Sequence, residues 1–204
     1  QQVMMAPFGA PETAINGDQW DGYPAERERF FKIITDNELD NVVVLTGDIH
    51  TSWANDLPTE DYVFLTGEGS VGVEFITPSV TSPGLPISAG VQAIQVLNPH
   101  MKYIELQQHG FVLLDVNEQR AQADWFYVST IDTDSNAYSY GASWLTEDKS
   151  NHLTEGTAAS IASVSYAAVA VPLSCPANQT LATADFSKLK VLYLYPNPVS
   201  YNNL

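Results

Sequence analysis

The stretch Asn41–Leu57, NVVVLTGDIHTSWANDL, decides the reading of this 204-residue chain. Val42, Val43, Val44 and Leu45 form a continuous apolar run rich in β-branched side chains, the pattern of a strand buried on both faces of a sheet. Thr46 and Gly47 end the run, and Gly47 is expected to let the backbone turn without a Cβ clash. Asp48 and His50 follow, two residues apart, just past the C-terminal end of the strand, where open α/β sheets hold their ligands. A hard carboxylate oxygen and an imidazole nitrogen at that spacing can hold a cation in one crevice. The same four residues also fit a turn aspartate beside a surface histidine, so the flanking sequence has to decide.

Upstream, Val3-Met4-Met5-Ala6 predicts a short strand ending at Pro7. Asn16 to Tyr23 reads as loop, and Pro24 and Glu26 suit the first turn of a helix. Phe30, Phe31, Ile33 and Ile34 give that helix an apolar face for packing on the sheet. Downstream, an acidic, turn-rich excursion runs to Gly72, and Val73–Thr77 is the next strand, closed by Pro78. The segment SVTSPG after it either lines the crevice through its Ser and Gly residues or is a plain loop. Tyr103–Gln107, Phe111–Val116 and Ala121–Val128 read as strands, the last two forming a hairpin through Asn117–Arg120. In the last of them Ala121, Ala123, Trp125 and Tyr127 share one core face, while the other face is mixed. Beyond Ile131 a polar covering segment and a linker-like tail are expected.

Composition narrows the function. With 45% hydrophobic residues the chain can bury a core of one domain or slightly more. Its 24 acidic against 8 basic residues, a net charge of −16, argue against nucleic acid or an anionic membrane and favour a cation as partner. The single cysteine, Cys175, builds neither a disulfide framework nor a cysteine metal cluster. No run is long and apolar enough for a transmembrane segment. QQVMMAPF, without an initiator methionine, reads as the middle of a polypeptide.

Four segments in order, NGDQWDGYPAER, VVVLTGDIHTSWANDL, VEFITPSVTSPG and NPHMKYIELQQHGFVLLDV, resemble the C-terminal half of alkaline phosphatase D-type (PhoD-like) metallophosphatases, over roughly Gln1 to Ile131. The resemblance implies an α/β fold, part of a four-layer α/β/β/α metallophosphoesterase sandwich. It also implies metal-dependent hydrolysis of phosphate mono- and diesters at an iron and calcium site, other divalent metals being possible. By carry-over Asp48 and His50 are metal ligands and thereby catalytic. Asp18, Trp20, Asp21 and Tyr23 are expected around the substrate or behind the ligands, with a packing role for Trp20 and Tyr23 as the alternative. His100 is expected there too, or as a structural residue. His109 and His152 read as structural and Trp53 as packing.

The family's earlier metal motifs are not in this sequence, so the chain alone is expected to be nearly inactive. The tail segment KVLYLYPNPVS resembles the start of a type A, type IX secretion sorting domain. On this reading residues 1–155 are part of the phosphatase domain, 156–190 a linker and 191–204 the start of a truncated sorting domain. The protein would then be secreted or held at the cell surface through the secretion machinery. A noncatalytic extracellular phosphate- or surface-binding module on the same fold is the alternative.

Overall fold

The fold turns on a strand whose composition hides it. Ser52–Pro58, SWANDLP, carries a serine, an asparagine and an aspartate, yet its first six residues are buried between the other layers. A computed structural model describes residues 1–9, 16–85 and 90–160 of the chain, all within the unit Gln1–Ser160. Its strands are β1 (Val43–Thr46), β2 (Ser52–Pro58), β3 (Ser70–Ile76), β4 (Met101–Glu105), β5 (Gly110–Val116), β6 (Arg120–Val128), β7 (Tyr138–Glu147) and β8 (Thr154–Glu155). Its helices are α1 (Pro24–Asp36) and α2 (Val91–Leu97), with a short 3-10 turn at Trp20–Gly22.

The first sheet has the order β1-β3-β2-β4, with β1 parallel to β3 and the other neighbours antiparallel. The second, β5-β6-β7-β8, is antiparallel throughout. Period-two alternation sorts side chains between two cores. Trp53, Leu57, Ile76 and Ile104 face the helices, where they meet Phe31 and Ile34 of α1 and Met4 and Met5 of the N-terminal segment. Ala54, Val73 and Phe75 face the second sheet and pack on Ala123, Trp125 and Tyr127. Trp125 is fully buried and its indole N–H donates to the Ile76 carbonyl at 3.0 Å, so burial of the ring, worth about 5 kcal/mol, leaves no polar atom unpaired.

Several expectations are met. Helix α1 starts at Pro24 with Glu26 in its first turn. Strands β3, β4 and the β5–β6 hairpin lie within a few residues of their predicted places. The core face of β6 is the predicted one, and its other face holds the buried polar pair Gln122 and Asp124.

Other expectations are corrected. Strand β1 is not buried on both faces: among the described residues it lies at the sheet edge with only β3 beside it, and Leu45 is 47% exposed. Ile33 is 49% exposed and lies off the face of α1 that Phe31 and Ile34 bury. Val3–Ala6 is not a strand, although Met4, Met5 and Ala6 are buried. The N–H groups of Met5 and Ala6 are taken instead by the two carboxylate oxygens of Glu74, at 2.8 and 3.0 Å. A side chain on the central strand does there what a neighbouring strand would do.

The four-layer expectation is met only in part. Both helices pack on the same side of the first sheet, with Val91 and Ile94 of α2 joining the Phe31 core. The described residues therefore form an α/β fold of two sheets and two helices, layered helix, sheet, sheet. The remaining face of the second sheet carries Phe111 stacked on Phe126 at 5.5 Å, with Tyr138 and Tyr140 edge-on to Phe126. Beside them Asp124 accepts from Gln122, Ser143 and the Ser160 N–H. Strand β7 occupies part of the expected covering segment. The predicted linker beyond residue 160 and the segment 191–204 lie outside the described residues.

Candidate metal centre

Register brings four chain ends to one edge of the first sheet. Thr46 of β1 and Trp53 of β2 both flank Ile76 of β3, and Ser52 flanks Glu105 of β4. The Gly47–Thr51 connection runs along that edge. It begins with a tight turn, Ile49 N–H to the Gly47 carbonyl at 2.8 Å, and the Gly47 N–H donates to the Gln2 carbonyl at 3.1 Å. The left-handed residues are Asp48 (φ 67°) and His50 (φ 61°), not Gly47. A Cβ at Gly47 would touch only Thr77 Cγ2, at 3.8 Å, so the expected need for glycine there is not found. Left-handed backbone costs a non-glycine residue about 1–2 kcal/mol and collects at functional sites. Both strained residues expose their side chains.

The start of this turn is held from below. Thr46 Oγ1 donates to Glu74 at 2.7 Å and Asn55 Nδ2 donates at 3.2 Å, so Glu74 gathers four donors with Met5 and Ala6. Burial still pushes its carboxyl above the usual range, outweighing those hydrogen bonds. The end of the turn is held by Trp53, whose indole N–H donates to Thr51 Oγ1 at 2.6 Å. Trp53 is thus the packing residue expected.

The loop after β3 closes over the turn. His50 Nδ1 lies 3.1 Å from the Pro83 carbonyl and His109 Nε2 lies 3.0 Å from the Ser82 carbonyl. A carbonyl oxygen only accepts, so each of those nitrogens carries the proton. In the neutral ring this bond leaves the lone pair on Nε2 of an exposed side chain, the arrangement in which histidine binds a metal. The fit is partial: among the described residues no group of three or more His, Cys, Asp or Glu side chains could hold a metal ion. Asp48 and His50 supply one oxygen and one nitrogen donor suited to a divalent or trivalent cation.

The remaining candidates separate into two places. Asp18, Trp20 and Tyr23 line a cavity of about 400 Å³ with Gln1, Val3, Gln19 and Glu26, and the Gln2 carbonyl that meets Gly47 ties one wall of it to the Asp48 turn. Asp21 is engaged elsewhere, bound to Arg27 at 2.6 Å and to the Phe8 N–H at 3.0 Å. His100 stands at the start of β4, and its backbone carbonyl accepts from Asp56 N–H at 2.9 Å, at the end of β2 remote from His50. Its Nε2 is spent on the Pro7 carbonyl at 2.7 Å, and burial lowers its pKa to about 4. His152 packs against Gly67, where an added Cβ would fall 2.4 Å from its ring. Sequence reasoning missed the contact of Pro83 with His50, because nothing in SVTSPG marks a carbonyl as a histidine partner.

Comparison with known proteins matches the chain to a family. The model of the PhoD-like phosphatases matches residues 1–125. Alkaline phosphatase D of Bacillus subtilis (strain 168) is 35% identical over 150 residues, 71% of this chain and 25% of that protein. A solved structure described as the structure of PhoD aligns with a TM-score of 0.68 at 30% identity, over 80% of this chain and 32% of the other. The chain thus spans about a quarter to a third of the length of these relatives. The expectation of a C-terminal half followed by a sorting domain is overturned: the match lies in the N-terminal and central region of this chain, and no sorting-domain match accompanies it. With the first sheet and the Asp48–His50 turn inside the matched residues, the chain belongs to the PhoD-like phosphatase family.

Proposed function

We propose that this chain contributes metal ligands and a substrate wall to a phosphoesterase site acting on phosphate mono- or diesters. The observation that carries the reading is the exposed His50, two residues from the exposed Asp48, its Nδ1 proton held by the Pro83 carbonyl. A metal bound there supplies charge for the phosphoryl oxygens and lowers the pKa of a bound water. Iron and calcium, suited to imidazole and to carboxylate respectively, are the metals we assign.

The chain's own residues divide the substrate. Asp18 and Glu26 repel a phosphate from the neighbouring cavity, whereas the Trp20 and Tyr23 rings accept apolar surface. The alcohol part of the ester lies in that cavity and the phosphate at Asp48 and His50. Two ligands hold a metal weakly, so this chain by itself turns over esters slowly. We place the protein outside the cytoplasm, on family membership; among the described residues no helix is long and apolar enough to cross a membrane.

The test measures metal content and hydrolysis of a chromogenic phosphomonoester and phosphodiester. It uses this chain and a chimera in which residues 1–125 replace the matching segment of the Bacillus subtilis enzyme, each also as Asp48→Asn. We expect the chimera to hold metal and hydrolyse, and Asp48→Asn to abolish both. A folded chimera that holds no metal and hydrolyses nothing would leave a noncatalytic binding module as the better account.

A further inference from the structure

The loop that follows β3, residues 77–85, is fastened at four points. Ser79 accepts at its carbonyl from the Gly110 N–H at 3.1 Å, and Leu85 N–H donates to the Leu106 carbonyl at 3.0 Å. Between them the Ser82 carbonyl accepts from Ser79 Oγ and from His109 Nε2, the latter at 3.0 Å. The next carbonyl, that of Pro83, accepts from His50 Nδ1 at 3.1 Å. Gly84 follows so closely that a Cβ would fall 2.8 Å from the Leu106 oxygen and 3.4 Å from the His50 oxygen. His109 is itself anchored, its carbonyl accepting from Val128 N–H at 2.9 Å where the second sheet begins. Two imidazoles on different elements therefore grip adjacent peptide carbonyls of one loop.

We propose that His109 is a positioning residue for His50: by holding the Ser82 carbonyl it keeps the Pro83 carbonyl on His50 Nδ1, fixing the tautomer that leaves Nε2 free. The inference deepens the metal-ligand reading of His50 and rests on it. The chemistry is that of an outer partner orienting a ligand, displaced by one residue through a peptide unit. Proline at 83 suits the role, since its ring fixes φ and leaves ψ as the one soft dihedral between the Ser82 and Pro83 carbonyls. Gly84 suits it too, because any side chain there pushes the loop off Leu106.

Long-range proton–nitrogen correlation of the imidazole rings, on the full chain at about two units above the ordinary histidine pKa and without metal, reads the tautomer directly. The native chain is expected to show His50 as the Nδ1–H form. His109→Leu should lower the ratio of Nδ1–H to Nε2–H at His50 about tenfold, the preference one hydrogen bond confers. His109→Gln, which still offers an N–H to Ser82, should restore it. Gly84→Ala, which displaces the loop with His109 intact, should act like His109→Leu. Backbone amide spectra establish that each variant is folded. An unchanged His50 tautomer in folded His109→Leu or Gly84→Ala overturns the proposal, as does failure of His109→Gln to restore it. A cobalt titration followed on the His50 resonances, expected to weaken about tenfold in His109→Leu, addresses the metal reading separately. A tautomer that shifts as expected in a chain that binds no cobalt would count against the phosphoesterase reading and for the positioning role.

Discussion

Acidification should destabilise the fold through His100, by an amount that follows from its surroundings. The ring is 7% exposed, donates from Nε2 to the Pro7 carbonyl at 2.7 Å and meets the Tyr62 ring edge-on at 6.3 Å. Burial dominates; Lys102 and Arg27 add to it, and the Pro7 bond and Asp21 oppose it, leaving a folded pKa of about 4 against an ordinary 6.5. A base depressed in this way contributes its stability fully above the unfolded value, and that stability is lost as pH falls toward the folded value. The gap at about 1.36 kcal/mol per unit gives a loss of about 3 kcal/mol between neutrality and pH 4. Glu74 and Asp56 act in the opposite sense. Burial raises both, so their contribution is greatest below the ordinary carboxylate range and is lost as pH rises through their raised values. The comparison therefore needs His100→Gln, which keeps a donor for Pro7 and cannot titrate. Urea unfolding followed by fluorescence of the buried Trp53 and Trp125, at neutral pH and near pH 4, should show the native chain losing about 3 kcal/mol more than the variant. Equal losses, within about 0.5 kcal/mol, would refute the assignment of that penalty to His100.

Glu74→Ala leaves the Met5 and Ala6 N–H groups, Thr46 and Asn55 without their acceptor, and at neutral pH should cost about 3 kcal/mol or more in urea unfolding. Asp48→Asn should change stability by less than about 0.5 kcal/mol, since asparagine tolerates the left-handed backbone at φ 67°, while removing metal binding measured by titration. Asp48→Val, a β-branched residue at the same φ, should cost about 1–2 kcal/mol in the same unfolding assay.

The elements legible in the sequence are those whose side chains carry the fold by burial alone. Strands β3 and β6 alternate, and the Phe31–Ile34 stripe repeats at helical spacing, so periodicity finds them. Strand β2 escapes because its buried polar residues reach partners elsewhere in the chain: Asn55 Nδ2 donates to Glu74, and Asp56 accepts from Tyr62 at 2.6 Å and from Leu153 N–H at 2.7 Å. Hydrophobicity cannot report a residue whose burial depends on a donor 97 positions away. The N-terminal run fails in the opposite way. Met4, Met5 and Ala6 look like a strand because they are buried, but a carboxylate, not a strand, answers their backbone. Around Asp48 and His50 the residue types and their spacing are in the sequence, whereas the hydrogen bond of His50 to Pro83, 33 residues on, is not.

The distribution of charge supports a metal at the Asp48 turn. A phosphate ester is an anion, and this chain meets it with an excess of carboxylates. Three of these, Glu74, Asp56 and Asp124, are buried and committed to protein donors. Of the basic side chains in the described residues, Arg27 is paired with Asp21, Arg29 with Glu26, Lys32 with Asp36, Lys102 with Asp56 and Arg120 with Asp115. Lys149 stands on the loop that meets Asn41, before β1 begins, at the end of that strand opposite Asp48. Each of those five basic side chains is thus already paired with a carboxylate of this chain. A carboxylate and a neutral imidazole attract phosphate only when a cation sits between them. The same arithmetic makes Asp48→Asn informative, because removing one negative charge should strengthen phosphate binding if the anion meets the protein directly, and weaken it if the anion is held through a metal.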